Sequence, residues 1–174
     1  MRNMWFLSKR HSLIRPAVLG IGSAALLSLL VFGLLMSPVR VEGISMSPSL
    51  APSQRLIVSP LMARLDLERR DMIVLNHPTL RGVTLIKRVA ALAGDRFRMN
   101  ENGIFVNGIR ISPWTAGSCS PVMDITIPSR HVFVLGDNLN HSMDSRLFGP
   151  VSLDRIQGKV LFRYWPISRL GIPR

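Results

Sequence analysis

The segment GISMSPSL at residues 43–50 carries three hydroxyl side chains, those of Ser45, Ser47 and Ser49. A serine hydroxyl is a weak nucleophile, and it becomes reactive when a neighbouring base accepts its proton. In an extended backbone alternate side chains share a face, so the spacing alone does not distinguish the three serines. The segment therefore predicts nucleophilic chemistry wherever the fold supplies a base.

Lys87 lies in the segment VTLIKRV at residues 83–89, which is typical of a strand. Alternation would place it with Val83, Leu85 and Val89, opposite Thr84, Ile86 and Arg88. A lysine on an apolar face either lies at an edge with its amine in water or is buried. Burial would lower its pKa from ~10.4, and a neutral amine near pH 7–8 can serve as a general base.

Histidine is the usual base for a serine nucleophile, and the chain has four: His11, His77, His131 and His141. His11 precedes the apolar stretch described below, His77 lies in a turn-like segment, and His131 begins a predicted strand. None of them lies in a recognisable triad motif. A serine–lysine pair is at least as plausible chemically as a serine–histidine pair.

The segment GDNLNHSMDSR at residues 136–146 follows an apolar strand and is expected to be a loop at a sheet end. It is either a well-capped turn held by an Asp144–Arg146 pair or a set of groups that orient a base. Asp137, His141 and Asp144 do not have the spacing of a strong metal-ligand pattern. We therefore expect neither a metal nor another cofactor.

The stretch at residues 17–36 contains no charged side chain. About 20 helical residues span the ~30 Å hydrocarbon core of a bilayer. A cleaved secretory signal is the alternative, but its apolar region is typically ~7–15 residues, and SPVR at residues 37–40 is a poor cleavage site. The stretch therefore predicts a single transmembrane helix.

Flanking charge predicts the orientation of this helix. Arg2, Lys9, Arg10 and Arg15 precede it and no acidic residue does. The positive-inside rule then makes residues 1–16 a cytoplasmic basic tail and residues 39–174 an extracytoplasmic domain. That domain keeps 18 of the 22 Lys and Arg residues against ten Asp and Glu.

The basic charge of the domain has two open interpretations, contact with anionic lipid headgroups or a solvated basic surface. Nucleic-acid binding is not expected, because aromatic residues are few and no recognition motif is present. Cys119 is the only cysteine, which excludes an intrachain disulfide.

Short segments rich in β-branched residues, separated by Gly, Pro, Asn and Asp, predict a mostly β domain. Strands are expected at residues 55–58, 72–75, 83–90, 96–99, 103–106, 131–135 and 158–165. We also expect a short helix at residues 62–68, tight hairpin turns at 100–103 and 107–108, and a long loop or small subdomain at 113–128.

Four blocks behind the predicted anchor resemble the bacterial type I signal peptidases, a family of serine–lysine membrane peptidases. In the family's order they are GISMSPSL at residues 43–50, RDMIV at 70–74, IKRV at 86–89 with GDR at 94–96, and GDN through SRLFG at 136–149. Each block alone is weakly specific, whereas four in order are highly specific. The resemblance implies a signal-peptidase-like β-sheet domain on the periplasmic side of the plasma (inner) membrane.

The resemblance also implies roles for individual residues. Ser45 would be the nucleophile and Lys87 the general base, with the Ser45 backbone N–H forming half of an oxyanion hole. Supporting roles would fall to Ser142, whose hydroxyl would hydrogen-bond the lysine amine, to the ion pair of Asp144 with Arg146, and to Asp137 as a structural acid. Gly43 stands where some members have a serine that completes the oxyanion hole, while other members have glycine.

The sequence departs from the family's pattern at three further places. Ser49 stands in place of the usual threonine, Arg70 in place of a glycine, and Leu139-Asn140 in place of a common Arg-Asp pair. They leave the implied mechanism intact and bear on the substrate set. The implied activity is removal of signal peptides from exported preproteins. Alternatives are a conjugative-pilus prepilin peptidase or cyclase and, from another class, an inactive membrane-anchored binding module.

Overall fold

The computed structural model describes residues 18–24, 26–28, 33, 35–111, 114 and 122–173. The chain divides into two units, Met1–Met36 and Ser37–Arg174. In the first unit residues 18–24 and 26–28 are helical. No helix within the described residues is both long and apolar enough to cross a membrane. Outside them lie the predicted tail at 1–16, residues 17, 25, 29–32 and 34 of the predicted span, and Cys119.

The second unit is built from eleven described strands in two antiparallel sheets. The strands are β1 (Ser37–Arg40), β2 (Arg55–Ser59), β3 (Met72–Asn76), β4 (Thr84–Ala91), β5 (Arg96–Asn100), β6 (Gly103–Val106), β7 (Ile109–Arg110), β8 (Met123–Thr126), β9 (His131–Leu135), β10 (Val151–Ser152) and β11 (Ile156–Trp165). The larger sheet has the order β1-β2-β11-β3-β4-β9-β10, and the smaller one has the order β7-β6-β5-β8. The prediction of a mostly β domain is confirmed.

Two short α-helices and three 3₁₀ turns complete the described part of this unit. The helices are α1 (Pro60–Leu65) and α2 (Ser145–Phe148), and the 3₁₀ turns are Leu139–His141, Leu153–Arg155 and Ile167–Arg169. Helix α1 begins earlier than predicted because Ser59 caps it, accepting a hydrogen bond from the Met62 N–H, and Pro60 occupies the first turn. It also ends three residues before the predicted boundary.

Strand prediction succeeded where apolar residues alternate or run together. All seven predicted strands are present, with ends within about two residues of those expected. The predicted turn between β6 and β7 is also present, with positive φ at Asn107 (52°) and Gly108 (81°), as a tight two-residue hairpin turn requires.

Strands β1, β8 and β10 were not predicted. Strand β8 falls inside the segment expected to be a long loop, of which residues 112, 113 and 115–121 lie outside the described residues. Its side chains alternate between half-buried and exposed, so the sequence shows only two apolar positions, Met123 and Ile125. Backbone pairing of four β8 residues with β5 stabilises a strand that the weak apolar pattern does not predict.

Three buried apolar clusters hold the sheets in place. The first lies against the smaller sheet, where Phe97 of β5 stacks on Phe133 of β9 with ring centroids 4.2 Å apart. The second anchors the β1–β2 connection through Met46 and Leu50. The third includes Val89 and Leu85 of β4, whereas Ile86 packs against the second, as alternation along the strand predicts. These clusters bring three segments together: the β1–β2 loop, β4, and the loop after β9.

Candidate active site

The β1–β2 loop carries Ser45 on a rigid turn. Ser47 N–H donates to Ile44 C=O at 3.0 Å and Leu50 N–H donates to Met46 C=O at 2.8 Å. Met46 and Leu50 are both essentially inaccessible to solvent. Two buried side chains within one turn of Ser45 therefore fix its backbone while Ser45 itself remains half-buried.

Lys87 meets Ser45 directly. The Lys87 Nζ atom lies 2.7 Å from the Ser45 hydroxyl oxygen, and the lysine side chain is among the largest fully buried ones, at 2% exposure. Of the two alternatives for this lysine, the structure has the buried one. The same contact distinguishes the three serines, because Ser49 instead accepts a hydrogen bond from Arg88, at 3.3 Å.

Burial sets the protonation behaviour of Lys87. Desolvation lowers its pKa from 10.5 to about 8, because the charged amine loses its water shell. The negative charge of Asp144 raises the Lys87 pKa, the positive charge of Arg146 lowers it, and the negative charge of Asp137 raises it. The effect of desolvation is the largest, so a substantial neutral fraction of the amine exists near pH 8.

The loop after β9 is joined to the loop that carries Ser45. Asn138 N–H donates to Ser45 C=O at 2.9 Å, and Trp114 Nε1–H donates to Gly136 C=O at 2.8 Å. A Cβ atom at Gly136 would lie 2.6 Å from the Ser45 carbonyl oxygen and 2.2 Å from the Ser142 hydroxyl oxygen. Glycine is therefore required for the two loops to approach this closely.

Asp144 and Arg146 form the ion pair that the sequence predicts. Arg146 Nε lies 2.8 Å from Asp144 Oδ1, and both side chains are buried. Arg146 Nη2 also donates to Leu139 C=O at 2.6 Å, and Asp144 accepts from Gly136 N–H at 3.0 Å. The pair therefore fixes the loop on both sides of Ser142.

Ser142 lies beside this network without joining it. Its hydroxyl oxygen is buried and has no hydrogen-bond partner among the described residues. The hydrogen bond to the Lys87 amine that the resemblance implies is therefore not formed in this structure, although Ser142 borders Gly136 and the Ser45 carbonyl.

Asp137 forms a buried ion pair with Arg88, a residue that sequence reasoning did not assign to the site. Arg88 Nε lies 2.7 Å from Asp137 Oδ1, and Nη2 lies 2.6 Å from Oδ2, a bidentate geometry. Arg88 also donates to Arg70 C=O at 2.9 Å. The available sequence signal was a second charged residue, beside Lys87, in a largely apolar strand. Its partner Asp137 could not be predicted, because the pairing depends on β4 lying next to β9.

The described histidines are not partners of the Ser45 hydroxyl. His77 is buried against Met143 and Phe148, His131 contacts the carbonyl of Ser129, and His141 is exposed. None of these three has a hydrogen bond to Ser45 among the described contacts. The part of the chain that the structure describes contains no group of three His, Cys, Asp or Glu side chains that could hold a metal ion.

A cavity of about 350 Å³ opens at the Ser45–Lys87 contact. Its lining comes from residues 39–43 and 84–87, together with Ser45 and Met46. In the described part of the chain, no acceptor takes the Ser45 backbone N–H. A Cβ atom at Gly43 would meet only the Ser45 nitrogen, at 4.0 Å, so the space beside this N–H is open.

Comparison with known proteins identifies the family. The sequence profile described as "Signal peptidase, peptidase S26" matches residues 14–165. The chain belongs to the signal peptidase family. Signal peptidase I of Bacillus caldolyticus is 34% identical over 172 residues, which cover 90% of this chain and 92% of that protein. The resemblance predicted from the four sequence blocks is confirmed.

Two further similar proteins differ in coverage. A probable signal peptidase I-2 of Synechocystis is 34% identical over 137 residues, which cover 74% of this chain and only 62% of that protein's length. A crystal structure of a signal peptidase I from Enterococcus faecalis is 25% identical with a TM-score of 0.47, covering 54% of this chain and 96% of that one. The prediction of a peptidase is confirmed by the profile match over residues 14–165 and by the relative from Bacillus caldolyticus, not by these two.

Proposed function

We propose that this protein removes signal peptides from exported preproteins, with Ser45 as nucleophile and Lys87 as general base. The observation that carries the proposal is the 2.7 Å contact between the Lys87 amine and the Ser45 hydroxyl in a buried setting. Nucleophile and base must lie within ~2.6–3.2 Å for direct proton transfer. Membership in the signal peptidase family supplies the reaction class.

The first half of the reaction forms an acyl-enzyme. Neutral Lys87 accepts the Ser45 hydroxyl proton as the serine oxygen attacks the scissile carbonyl carbon. The carbonyl oxygen becomes an oxyanion, and the Ser45 N–H lies where it can donate a hydrogen bond to it. When the tetrahedral intermediate collapses, the protonated Lys87 gives its proton to the leaving amine, and the amide C–N bond breaks.

The second half restores the enzyme. A water molecule takes the place of the leaving amine, and neutral Lys87 accepts its proton as the water oxygen attacks the ester carbonyl. Collapse returns the proton to the Ser45 oxygen and releases the carboxylate product. Lys87 alternates between base and acid throughout, which requires a pKa near the working pH.

The cleft suits an extended substrate. Its lining includes residues 39–40 of β1 and residues 84–87 of β4, so strands from two parts of the chain border it. A peptide lying between them can add backbone hydrogen bonds as a further strand, with alternate side chains directed toward the floor. Cleavage after a small residue, with another small residue two positions earlier, is the specificity that the family resemblance implies.

The placement at a membrane rests on the sequence. We infer a single-pass protein with residues 1–16 in the cytoplasm, residues 17–36 crossing the plasma (inner) membrane, and residues 39–174 as the extracytoplasmic peptidase domain. Only eight residues separate the end of the proposed span from Ser45, so the nucleophile lies close along the chain to the bilayer in which signal peptides are held. Anionic headgroups are proposed partners of the basic domain, and nucleic acid is not.

Two alternatives make different products. A specialised prepilin peptidase that also cyclises its product would release a pilin lighter by one water molecule than simple cleavage leaves, which mass spectrometry detects. An inactive binding module would bind a preprotein without shortening it. We expect cleavage without cyclisation.

The decisive experiment uses the full chain in detergent with a preprotein substrate. Ser45→Ala and Lys87→Ala are each expected to abolish processing, whereas the matched control Ser47→Ala retains it within a few-fold. Processing that persists at the control rate in either of the first two variants contradicts the serine–lysine assignment.

A further inference from the structure

His77 is a buried titratable side chain that the proposed reaction does not use. It lies just after β3 with only 5% exposure, and its backbone N–H is bonded to Val83 C=O at 2.8 Å. Its Nδ1 atom accepts from Thr79 N–H at 3.2 Å and from Leu80 N–H at 3.0 Å. Backbone N–H groups can only donate, so Nδ1 is an acceptor and the proton of the neutral ring is on Nε2.

The Nε2–H of His77 is directed at the loop that borders Ser45. The Nε2 atom lies 3.1 Å from the Met143 sulfur, and Met143 lies between Ser142 and Asp144 in the chain. The ring also meets Phe148 edge-on, with centroids 5.0 Å apart. One side chain therefore contacts both ends of the segment that carries Asp144 and Arg146.

We propose that His77 is a positioning residue that holds the loop of Ser142 and Asp144 beside the Ser45 loop through its contact with Met143. The inference rests on the proposed function of Ser45 and Lys87. Met143 is itself 44% exposed, so apolar burial alone does not fix it, and the N–H to sulfur contact supplies a directional restraint. The loop lies near Lys87, because the charges of its Asp144 and Arg146 act on the lysine amine. A loosened loop would admit water, weaken the desolvation that lowers the Lys87 pKa, and make the amine harder to deprotonate.

The substitution His77→Asn separates this role from local turn structure. An asparagine side-chain oxygen can replace Nδ1 as acceptor for the two N–H groups of the turn, as in an Asx turn, but it cannot reach Met143. Met143→Leu removes the sulfur acceptor from the opposite side while keeping the bulk. His131→Asn is the matched control, because the side chain of that histidine bonds the Ser129 carbonyl in its own turn and not the loop of Met143.

The assay measures kcat, KM and the pH–rate profile of the full chain in detergent with a fluorogenic preprotein peptide. His77→Asn and Met143→Leu are each expected to lower kcat roughly tenfold, within the ~100-fold that a 1 Å misplacement can cause, with KM unchanged within twofold. The alkaline-rising limb should move up by about half a pH unit or more. The double variant should be no worse than either single one, because both remove the same contact.

Wild-type kcat and an unmoved profile in both variants would overturn the proposal. So would additive losses in the double variant, or reduced thermal stability without any change in the profile. Should His77→Asn not fold, Met143→Leu gives the same test. Failure of the proposed function is seen separately, as full activity in Ser45→Ala, and it is independent of the result at His77.

Discussion

Replacing Lys87 by methionine should yield an inactive protein that is more stable than the wild type at pH 7. The side chains have similar length, but methionine carries no charge that must be desolvated. Because the Lys87 pKa falls from 10.5 to about 8 on burial, folding with the amine protonated costs about 3 kcal/mol, at ~1.4 kcal/mol per unit. Loss of the hydrogen bond to Ser45 offsets about 1 kcal/mol, which leaves a net gain of about 2 kcal/mol.

The gain should depend on pH in a defined direction. The folded pKa of Lys87 lies below its unfolded value of 10.5, so between pH 8 and 10.5 the unfolded chain binds more protons than the folded one. The free energy of unfolding of the wild type therefore rises with pH across that window. Below pH 8 both states are protonated and the full cost remains, so the advantage of Lys87→Met should be greatest there and disappear toward pH 10.5.

The assay is denaturant unfolding of the full chain in detergent between pH 6.5 and 10.5, followed by tryptophan fluorescence, to which buried Trp114 contributes. Lys159→Met is the matched control. Burial disfavours the Lys159 charge, but its hydrogen bond to Asp71 at 2.9 Å and the nearby acidic charges raise its pKa, so this variant should lose stability at pH 7. Parallel pH–stability curves for wild type and Lys87→Met, or a variant less stable than wild type at pH 7, would refute the reasoning.

Three shorter predictions concern the same site. The value of kcat/KM should rise with pH through about 8 as Lys87 loses its proton, and a pH-independent rate between 6 and 10 would contradict this. Gly43→Ser should raise kcat several-fold by adding a donor in the open space beside the Ser45 N–H, whereas Gly136→Ala should inactivate the enzyme; equal kinetics in both variants would refute the geometry. Asp137→Asn should destabilise the fold by about 3–5 kcal/mol in denaturant unfolding, because it leaves the Arg88 charge buried and unpaired, and a loss below ~1 kcal/mol would contradict the ion pair.

The sequence predicts most strands because burial and β-branched residues coincide in them. It cannot predict β8, whose apolar positions are only half buried and whose stability comes from pairing with β5. It also gives helix α1 the wrong boundaries, because the cap at Ser59 outweighs the apolar pattern on which the prediction relied.

The functional site is likewise predicted only in part from the sequence. The sequence presents Lys87 on an apolar strand, so burial was one of two stated alternatives. The choice of Ser45 over Ser47 and Ser49 rested on the family resemblance, because an extended segment would place all three on one face. The loop is instead folded into turns, which the serine spacing does not predict. The contacts of Arg88 with Asp137 and of His77 with Met143 join segments 49 and 66 residues apart, and no local pattern encodes such distant pairs.

The most direct measurement for the central claim is an NMR titration of the lysine side chains. The chain contains only three lysines, Lys9, Lys87 and Lys159, so carbon-13 lysine labelling of the full chain in detergent gives few signals, and Lys87→Arg assigns the one of interest. We expect Lys87 to titrate near pH 8, and the pKa of Lys159 to lie above its ordinary value because of Asp71 and the nearby acidic charges. A Lys87 signal that titrates together with the others, near its ordinary value, would contradict a neutral lysine as the base for Ser45.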